Sequence, residues 1–301
     1  MIAEVIATYG RHLLLRDAHG REYKARPFGR QLAIVCGDRV ECEFHGAELL
    51  ANSTLPRATF LRRSTLRGRS EPLAANLTQL AIVVAPLPAP DLFMIDRYLC
   101  AAECAGIKAM IVLNKTDLPE AAPLLAALRP YEALGYEVLQ VSAVSDEVPP
   151  LQQSLRDATT MLVGQSGVGK SSLTRLLTSE ATEIAVGELM REEEGRHTTT
   201  ASRLYDCEGG GRIMDSPGVR DFAPAIDDLA PAALGFREVE QLAPGCRFQD
   251  CRHMQEPQCA IRAAADSNAI DPRRYESYRR LRRLYDQLWE QRPQRERASR
   301  R

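Results

Sequence analysis

Gly164-Gln165-Ser166-Gly167-Val168-Gly169-Lys170-Ser171 follows the apolar run Met161-Leu162-Val163 and precedes a helix-like stretch, Ser172–Leu177. These eight residues fit GxxxxGK[ST], a loop in which glycines let successive backbone N–H groups point at a phosphate. In such a loop the Lys170 ammonium neutralises the terminal phosphates, the Ser171 hydroxyl ligates Mg2+, and Ser172 opens the helix whose amino end faces the anion. A strand that ends in this loop and passes into a helix is one unit of an α/β domain.

Further runs of the same kind surround it. Leu80–Ala85, Ala109–Leu113, Glu137–Val141, Thr160–Val163 and Arg212–Met214 read as buried strands alternating with helical stretches, the pattern of a mainly parallel sheet. Chemistry-bearing motifs begin where these runs end, at the edge where open α/β folds bind ligands. Asn114-Lys115-Thr116-Asp117 follows Ile111-Val112-Leu113. A carboxylate there can accept from guanine N1–H and the exocyclic N2 amine, a donor pair that adenine lacks. The Lys115 stem can pack beneath the base, and Asn114 can tie the loop to the phosphate loop. Ser142-Ala143, after Glu137–Val141, is the candidate second base-contacting loop.

Asp215-Ser216-Pro217-Gly218 ends the run Arg212-Ile213-Met214. Asp215 would hold Mg2+ through a water, and the Gly218 N–H would touch the γ-phosphate. Between the phosphate loop and this motif lies Glu192-Glu193-Glu194-Gly195-Arg196-His197-Thr198-Thr199-Thr200. Thr199 or Thr200 can complete the Mg2+ shell, and Thr199 is the assigned candidate. Many GTPases place a Gln after the DxxG glycine to orient the attacking water. Here the residue is Val219, which cannot. His197 is the candidate water positioner, because imidazole can orient a water; the other reading is that it orders its loop.

The order of these motifs is unusual. In a conventional G domain the phosphate loop leads and NKxD follows, whereas here NKxD comes first. The central domain therefore reads as circularly permuted. A nucleotide kinase is the weaker reading, because Asp117 selects guanine and no acceptor site is evident.

Residues 1–68 read as a small β domain. Val40, Cys42 and Phe44 alternate with Glu41, Glu43 and His45, and glycines recur at about ten-residue intervals as turns would. Five short strands fit an OB-type barrel, which periodicity alone does not separate from another small barrel. Arg57, Arg62, Arg63, Arg67 and Arg69 cluster at the hand-over to the central domain, 69–224. Residues 225–301 end in a helix where Tyr275, Tyr278, Leu281, Leu284 and Leu288 recur at helical spacing. Arginines 273, 274, 279, 280, 282 and 283 crowd its other faces.

That last segment also holds Cys246-x4-Cys251-x-His253-x5-Cys259, three thiols and one imidazole within fourteen residues. Cys3His is the composition of a closed structural Zn2+ site, and four such ligands leave no open coordination position. Free surface thiols are the other reading. Cys100 and Cys104, at i and i+4, read as ordinary core, and Cys36, Cys42 and Cys207 have no metal-like partners.

The chain has 301 residues, enough for two or three domains, and its formal net charge of −1 argues neither for nor against nucleic acid. The distribution says more. Residues 1–70 carry 12 Lys and Arg against 7 Asp and Glu; residues 271–301 carry 11 against 5, and the stretch between is strongly acidic. Basic ends around an acidic middle suit contact with a phosphate-rich surface through the ends, and equally suit solvated faces. The apolar run Leu80–Pro90 is too short and proline-rich to span a bilayer, and no targeting segment is evident. Eight cysteines without a signal peptide read as cytosolic thiols or metal ligands. A cytoplasmic protein is expected.

The combined NKTD, GQSGVGKSS, GRHTTT and DSPG order, with CRFQDCRH and EPQC, resembles the RsgA family of circularly permuted GTPases. Gly37-Asp38-Arg39-Val40 and Asn76-Leu77-Thr78-Gln79 extend the resemblance to nearly the whole chain. The resemblance implies an N-terminal OB-fold barrel, a central permuted P-loop GTPase and a C-terminal zinc-binding domain with helices. It further implies a monomeric late maturation factor of the small ribosomal subunit that contacts rRNA. Such a factor hydrolyses GTP to GDP in response to that subunit, and its switch-loop histidine maps onto His197. The alternative is an rRNA-binding checkpoint module whose affinity is set by GTP and whose turnover is incidental.

Overall fold

The structure, a computed structural model, describes residues 1–29, 33–64, 70–145, 148–178, 202–215, 223–225, 229 and 233–291. Five strands open the chain: β1 (Ile2–Tyr9), β2 (His12–Arg16), β3 (Glu22–Pro27), β4 (Arg39–His45) and β5 (Glu48–Thr54). They pair in the order β1-β2-β3-β5-β4, and β4 returns to β1, which closes a five-stranded barrel of OB type. Ala3, Val5, Leu13, Leu15, Val40, Cys42 and Leu49 fill it. The alternation read in β4 holds for Val40 and Cys42 but fails at Phe44. That residue reaches the barrel's end, is 56% exposed, and packs edge-on against Tyr23.

The central sheet is built from β8 (Gln79–Val84), β9 (Lys108–Leu113), β10 (Glu137–Gln140), β11 (Thr159–Val163), β12 (Ser202–Asp206) and β13 (Arg212–Asp215). Its order is β10-β9-β8-β11-β13-β12, all parallel except β12. Its central strands are buried on both faces, hence their continuous apolar runs. Leu80, Ile82, Val84, Ile111 and Leu113 point toward α1 (Leu92–Ala105) and α2 (Ala121–Ala133). Ala81, Val83, Met110, Val112 and Leu162 point the other way, toward α3 (Pro149–Leu155) and α4 (Lys170–Leu177). Joining β13 to β8 and cutting between β10 and β11 would put the phosphate loop first, so the permutation is visible in the topology.

The barrel continues this sheet edge to edge, because β1 pairs antiparallel with β12. Strands β6 (Phe60–Ser64), β7 (Ser70–Ala75) and β14 (Ala223–Pro224) form a separate small sheet beside it. In the last segment α5 (Arg237–Leu242), α6 (Ala260–Asp266) and α7 (Pro272–Glu290) enclose a third core of Leu234, Phe236, Val239, Ile261, Tyr278 and Leu281. Cys100 of α1 is buried in that same core, which welds the segment to the central domain. Among the described residues no helix is long and apolar enough to cross a membrane.

Candidate functional site

All five parallel strands end at one edge, and the sequence motifs meet there. The phosphate loop leaves β11 at Gly164, whose φ of +139° only glycine adopts freely; a Cβ would strike the Val83 carbonyl. Gly169 caps α4 with φ +96°, and a Cβ there would strike the Asn114 amide. The loop therefore lies close against both β8 and the NKTD turn. Lys170 folds across it, with Nζ donating to the carbonyls of Gly164 at 2.7 Å and Gln165 at 2.8 Å. A phosphate in the loop would compete for that ammonium, with charge in its favour.

Asn114 is 1% exposed and acts as a pin. Its Nδ2 donates to Val168 O at 2.8 Å and its Oδ1 accepts from Ala143 N at 3.2 Å, so one side chain joins three loops. Lys115, at φ +62°, donates from Nζ to Gly167 O at 2.8 Å and to Leu87 O at 2.7 Å. Thr116 is tied to Val141 O through its hydroxyl at 3.0 Å. The buried Ser142 hydroxyl donates to Asp117 Oδ1 at 2.6 Å. That bond fixes the carboxylate plane while lone pairs on both oxygens stay available for two further donors. The arrangement can hold a planar base with two adjacent N–H groups beside a polyphosphate.

Ser171 and Ser172 lie in the first turn of α4, and Asp215 ends β13, the strand next to the phosphate-loop strand. Ser171 and Asp215 together offer the hard oxygen donors Mg2+ takes. Thr199, His197, Gly218 and Val219 lie outside the described residues, as do Arg67 and Arg69.

A second cluster lies in the segment between α5 and α6. The ligand atoms of Cys246, Cys251, His253 and Cys259 all fall within 4.8 Å of one another, the one such group among the described residues. Cys246 Sγ is 3.9 Å from Cys259 Sγ, and His253 Nδ1 is 3.5 Å and 3.4 Å from those two sulfurs. A tetrahedron with Zn–S of about 2.3 Å and Zn–N of about 2.05 Å has edges of about 3.8 and 3.6 Å. The donor set and its spacing fit, and the cluster could hold one zinc. Burial pushes the Cys251 thiol up to about 12 and the His253 imidazole down from its usual value. A central dication would draw the thiols to thiolates and accept a neutral imidazole. Tyr275 OH and Tyr278 OH hold the ligand loop by donating to His253 O at 2.8 Å and Arg252 O at 3.0 Å. Partial burial alone would raise the Glu256 carboxyl. Its own backbone N–H and those of Met254, Gln255 and Arg252 outweigh that effect and bring it down to about 2.

Two features escaped the sequence reading. The first is the turn after β8, whose Leu87 carbonyl holds Lys115; its only sequence signal is the pair Pro86 and Pro88 at a strand end. The second is a buried charge network. Arg274 is 1% exposed and not on a solvated face. It grips Glu238 through Nε at 2.7 Å and Nη2 at 2.9 Å, and Asp96 of α1 through Nη1 at 2.6 Å. Arg273 and Tyr131 OH complete the Asp96 carboxylate at 2.8 Å each. Arg282 is also buried, and Arg280 stacks on Phe93. Much of the helix's positive charge is thus used inside the molecule.

A parallel sheet with NKxD, the phosphate loop and the Asp215 that opens DxxG at one edge, in permuted order, defines a circularly permuted P-loop GTPase. The RsgA GTPase family model matches residues 54–224, and the chain belongs to that family. Proteins named small ribosomal subunit biogenesis GTPase RsgA are similar along most of its length. The one from Neisseria meningitidis serogroup C is 39% identical over 273 residues, covering 90% of this chain and 88% of that one. The one from Azotobacter vinelandii is 44% identical over 256 residues, covering 83% and 74%. Among solved structures, YjeQ from Thermotoga maritima has a TM-score of 0.69 at 24% identity, covering 95% of this chain and 98% of that one. YloQ, described as a circularly permuted GTPase, has a TM-score of 0.68 at 23% identity, covering 97% and 96%. These two likenesses establish the shared fold.

Proposed function

We propose that the chain is a GTP hydrolase acting in maturation of the small ribosomal subunit, splitting GTP to GDP and phosphate when docked on that particle. The observation that carries the reading is the pinning of the base-reading turn to the phosphate loop, Asn114 to Val168 and Lys115 to Gly167. The names of the relatives supply the ribosomal context.

In this reading Asp117, braced by Ser142, accepts from both guanine donors, and the Lys115 stem and Ala143 border the base. Backbone amides from Gly164 to Ser172 and the Lys170 ammonium hold the phosphates. Ser171, Asp215 and Thr199 would hold Mg2+, which would supply positive charge against the charge that develops on the phosphates. His197 orients the attacking water, since the Val219 side chain has no hydrogen-bonding group. The water oxygen bonds to the γ-phosphorus as the bond from that phosphorus to the β,γ-bridging oxygen breaks; the electron pair leaves on GDP, and the water's proton ends on an oxygen of the released phosphate. Gly218 N–H steadies the departing phosphoryl group. Residues 1–68 and 225–301 carry the basic surfaces that approach rRNA around the nucleotide domain, 69–224. One Zn2+ on Cys246, Cys251, His253 and Cys259 braces the last of these. The protein works as a cytoplasmic monomer.

GTP and ATP turnover with and without purified small subunits tests the reading. GTP turnover should rise with subunits while ATP turnover stays at background. Equal GTP rates in both conditions would sink the triggered hydrolase, and tight GTP-dependent docking without turnover would favour a binding checkpoint instead. Asp117→Asn should weaken GTP by about 3 kcal/mol, because a mismatched donor is buried against the base. Calorimetry showing unchanged GTP affinity would remove Asp117 from that role. Metal analysis of protein purified without chelators should find one zinc per chain, lost in Cys251→Ser.

A further inference from the structure

Asp215 and the phosphate loop end two neighbouring strands, and the opposite ends of those strands are held by the barrel. Arg212, the first residue of β13, donates from Nη1 to both Glu4 oxygens of β1, at 2.7 and 2.6 Å. Its Nη2 donates to Thr159 Oγ1 at 2.8 Å, and Thr159 is the first residue of β11. One guanidinium thus ties the barrel to the starts of both strands that carry the phosphate and metal candidates.

The backbone repeats the connection. Ala7 of β1 lies opposite Arg203 of β12, and Arg203 lies opposite Asp215, so the three form one row across three strands. On the next strand of the barrel, Arg16 pairs with Asp206 at 2.7 Å, which holds the far end of β12. A register shift between Val5 and Ala7 kinks β1 where it meets the central sheet. Ala3 and Val5 stay in the barrel core, whereas Ile6 and Ala7 enter the core of the nucleotide domain. The base-reading strand β9 is separated from β1 by four strands, β12, β13, β11 and β8.

We propose that Glu4, Arg212 and Thr159 are positioning residues for GTP hydrolysis, setting Asp215 and the phosphate loop in catalytic register from the barrel side. The inference rests on the hydrolase reading above and adds the route by which the barrel acts on the site. None of the three touches nucleotide; each acts through the strand it starts or holds. Because the Arg212 side chain meets the strands of the phosphate and metal candidates directly, and β9 only at second hand through Thr159 and Thr78, its loss should fall on turnover. Nucleotide affinity should be spared.

The experiment uses the full chain with purified small subunits and measures turnover, fluorescent GDP affinity and subunit co-sedimentation. Glu4→Gln and Thr159→Val should each lower subunit-stimulated kcat about tenfold, the scale set by small displacements of reacting groups. GDP affinity should stay within about twofold, since ground-state binding is untouched. Thr159→Ser, which restores the hydroxyl, should return turnover to the wild-type rate. Parallel loss of GDP affinity and turnover, or wild-type turnover in both Glu4→Gln and Thr159→Val, overturns the proposal. If one variant misfolds by circular dichroism, the other decides the matter, supported by the Thr159→Ser rescue where it is Thr159→Val. Failure of the wild-type chain to respond to subunits would instead defeat the hydrolase reading itself.

Discussion

Arg274 and Arg212 each carry a charge pair across a boundary between parts of the molecule, but in opposite settings. Arg274 is 1% exposed, and its partners Asp96 and Glu238 are buried with it. Arg212 and Glu4 keep 32% and 25% of their side chains exposed, and Arg16 meets an Asp206 that is 55% exposed. In the first setting no water can replace a lost partner. In the second it can. The C-terminal helices are therefore locked to α1 by desolvated charges around an apolar core. The barrel is joined by a short strand ladder, by the buried apolar residues Ile6, Ala7, Leu14 and Cys36, and by charge pairs that water reaches, so its charged contacts are the ones that yield at small cost. A module that reports docking belongs on the yielding joint, and a brace belongs on the rigid one.

The sharpest way to break this contrast is Arg274→Ala. It leaves Asp96 and Glu238 buried without their cation and should cost about 3–5 kcal/mol in denaturant unfolding. A loss below 1 kcal/mol would mean that water reaches the network and that the two joints do not differ in kind. A middle case lies inside the barrel segment. Asp38 is fully buried and accepts from Val35 N at 2.9 Å and from Arg57 at 2.6 and 2.8 Å. Arg57 itself is partly exposed and stacks over Phe60. Arg57→Ala leaves one backbone bond to the carboxylate, so a loss of about 1–3 kcal/mol is expected. Its effect should appear in barrel amides by hydrogen exchange and leave α7 unchanged.

Legibility followed the range of the interactions. Thr159–Val163, Lys108–Leu113 and Glu137–Gln140 fall within a residue of the strands read from the sequence, because a buried parallel strand is a local apolar run. The nucleotide motifs were readable for the same reason, each being a short peptide at a strand end. The Cys3His cluster was readable because all four residues lie within one short stretch of chain. The joints were not, since Asp96 and Arg274 are 178 residues apart and Glu4 and Arg212 are 208 apart. A trace of the first joint was nonetheless present. Arg274, Tyr278, Leu281, Tyr285 and Leu288 recur at alternating four- and three-residue steps, and all are buried. The arginine heads the apolar stripe, where an unpaired charge would be costly, so a buried carboxylate opposite it was implied. At the barrel end, β6 pairs with β7 across residues 65–69, which lie outside the described residues, so the two segments share a small sheet.

The smallest expected effect is the stability change on breaking the solvated joint. Glu4→Gln removes one charge from a pair that water already reaches, and Arg212 keeps its bond to Thr159 Oγ1. Exposed pairs of this kind contribute about 0.2–1 kcal/mol, and the loss in denaturant unfolding should lie in that range. Salt separates this pair from the buried network, because screening weakens solvated charge pairs far more than desolvated ones. The Glu4→Gln deficit should therefore shrink toward zero at about 1 M salt, where the Debye length falls to about 3 Å. The Arg274→Ala deficit should persist under the same conditions. If both deficits fade together, the C-terminal joint is as wet as the barrel seam and the division into rigid and yielding sides fails. If neither fades, Glu4 is held by more than its visible charge pair, and the barrel is the stiffer module.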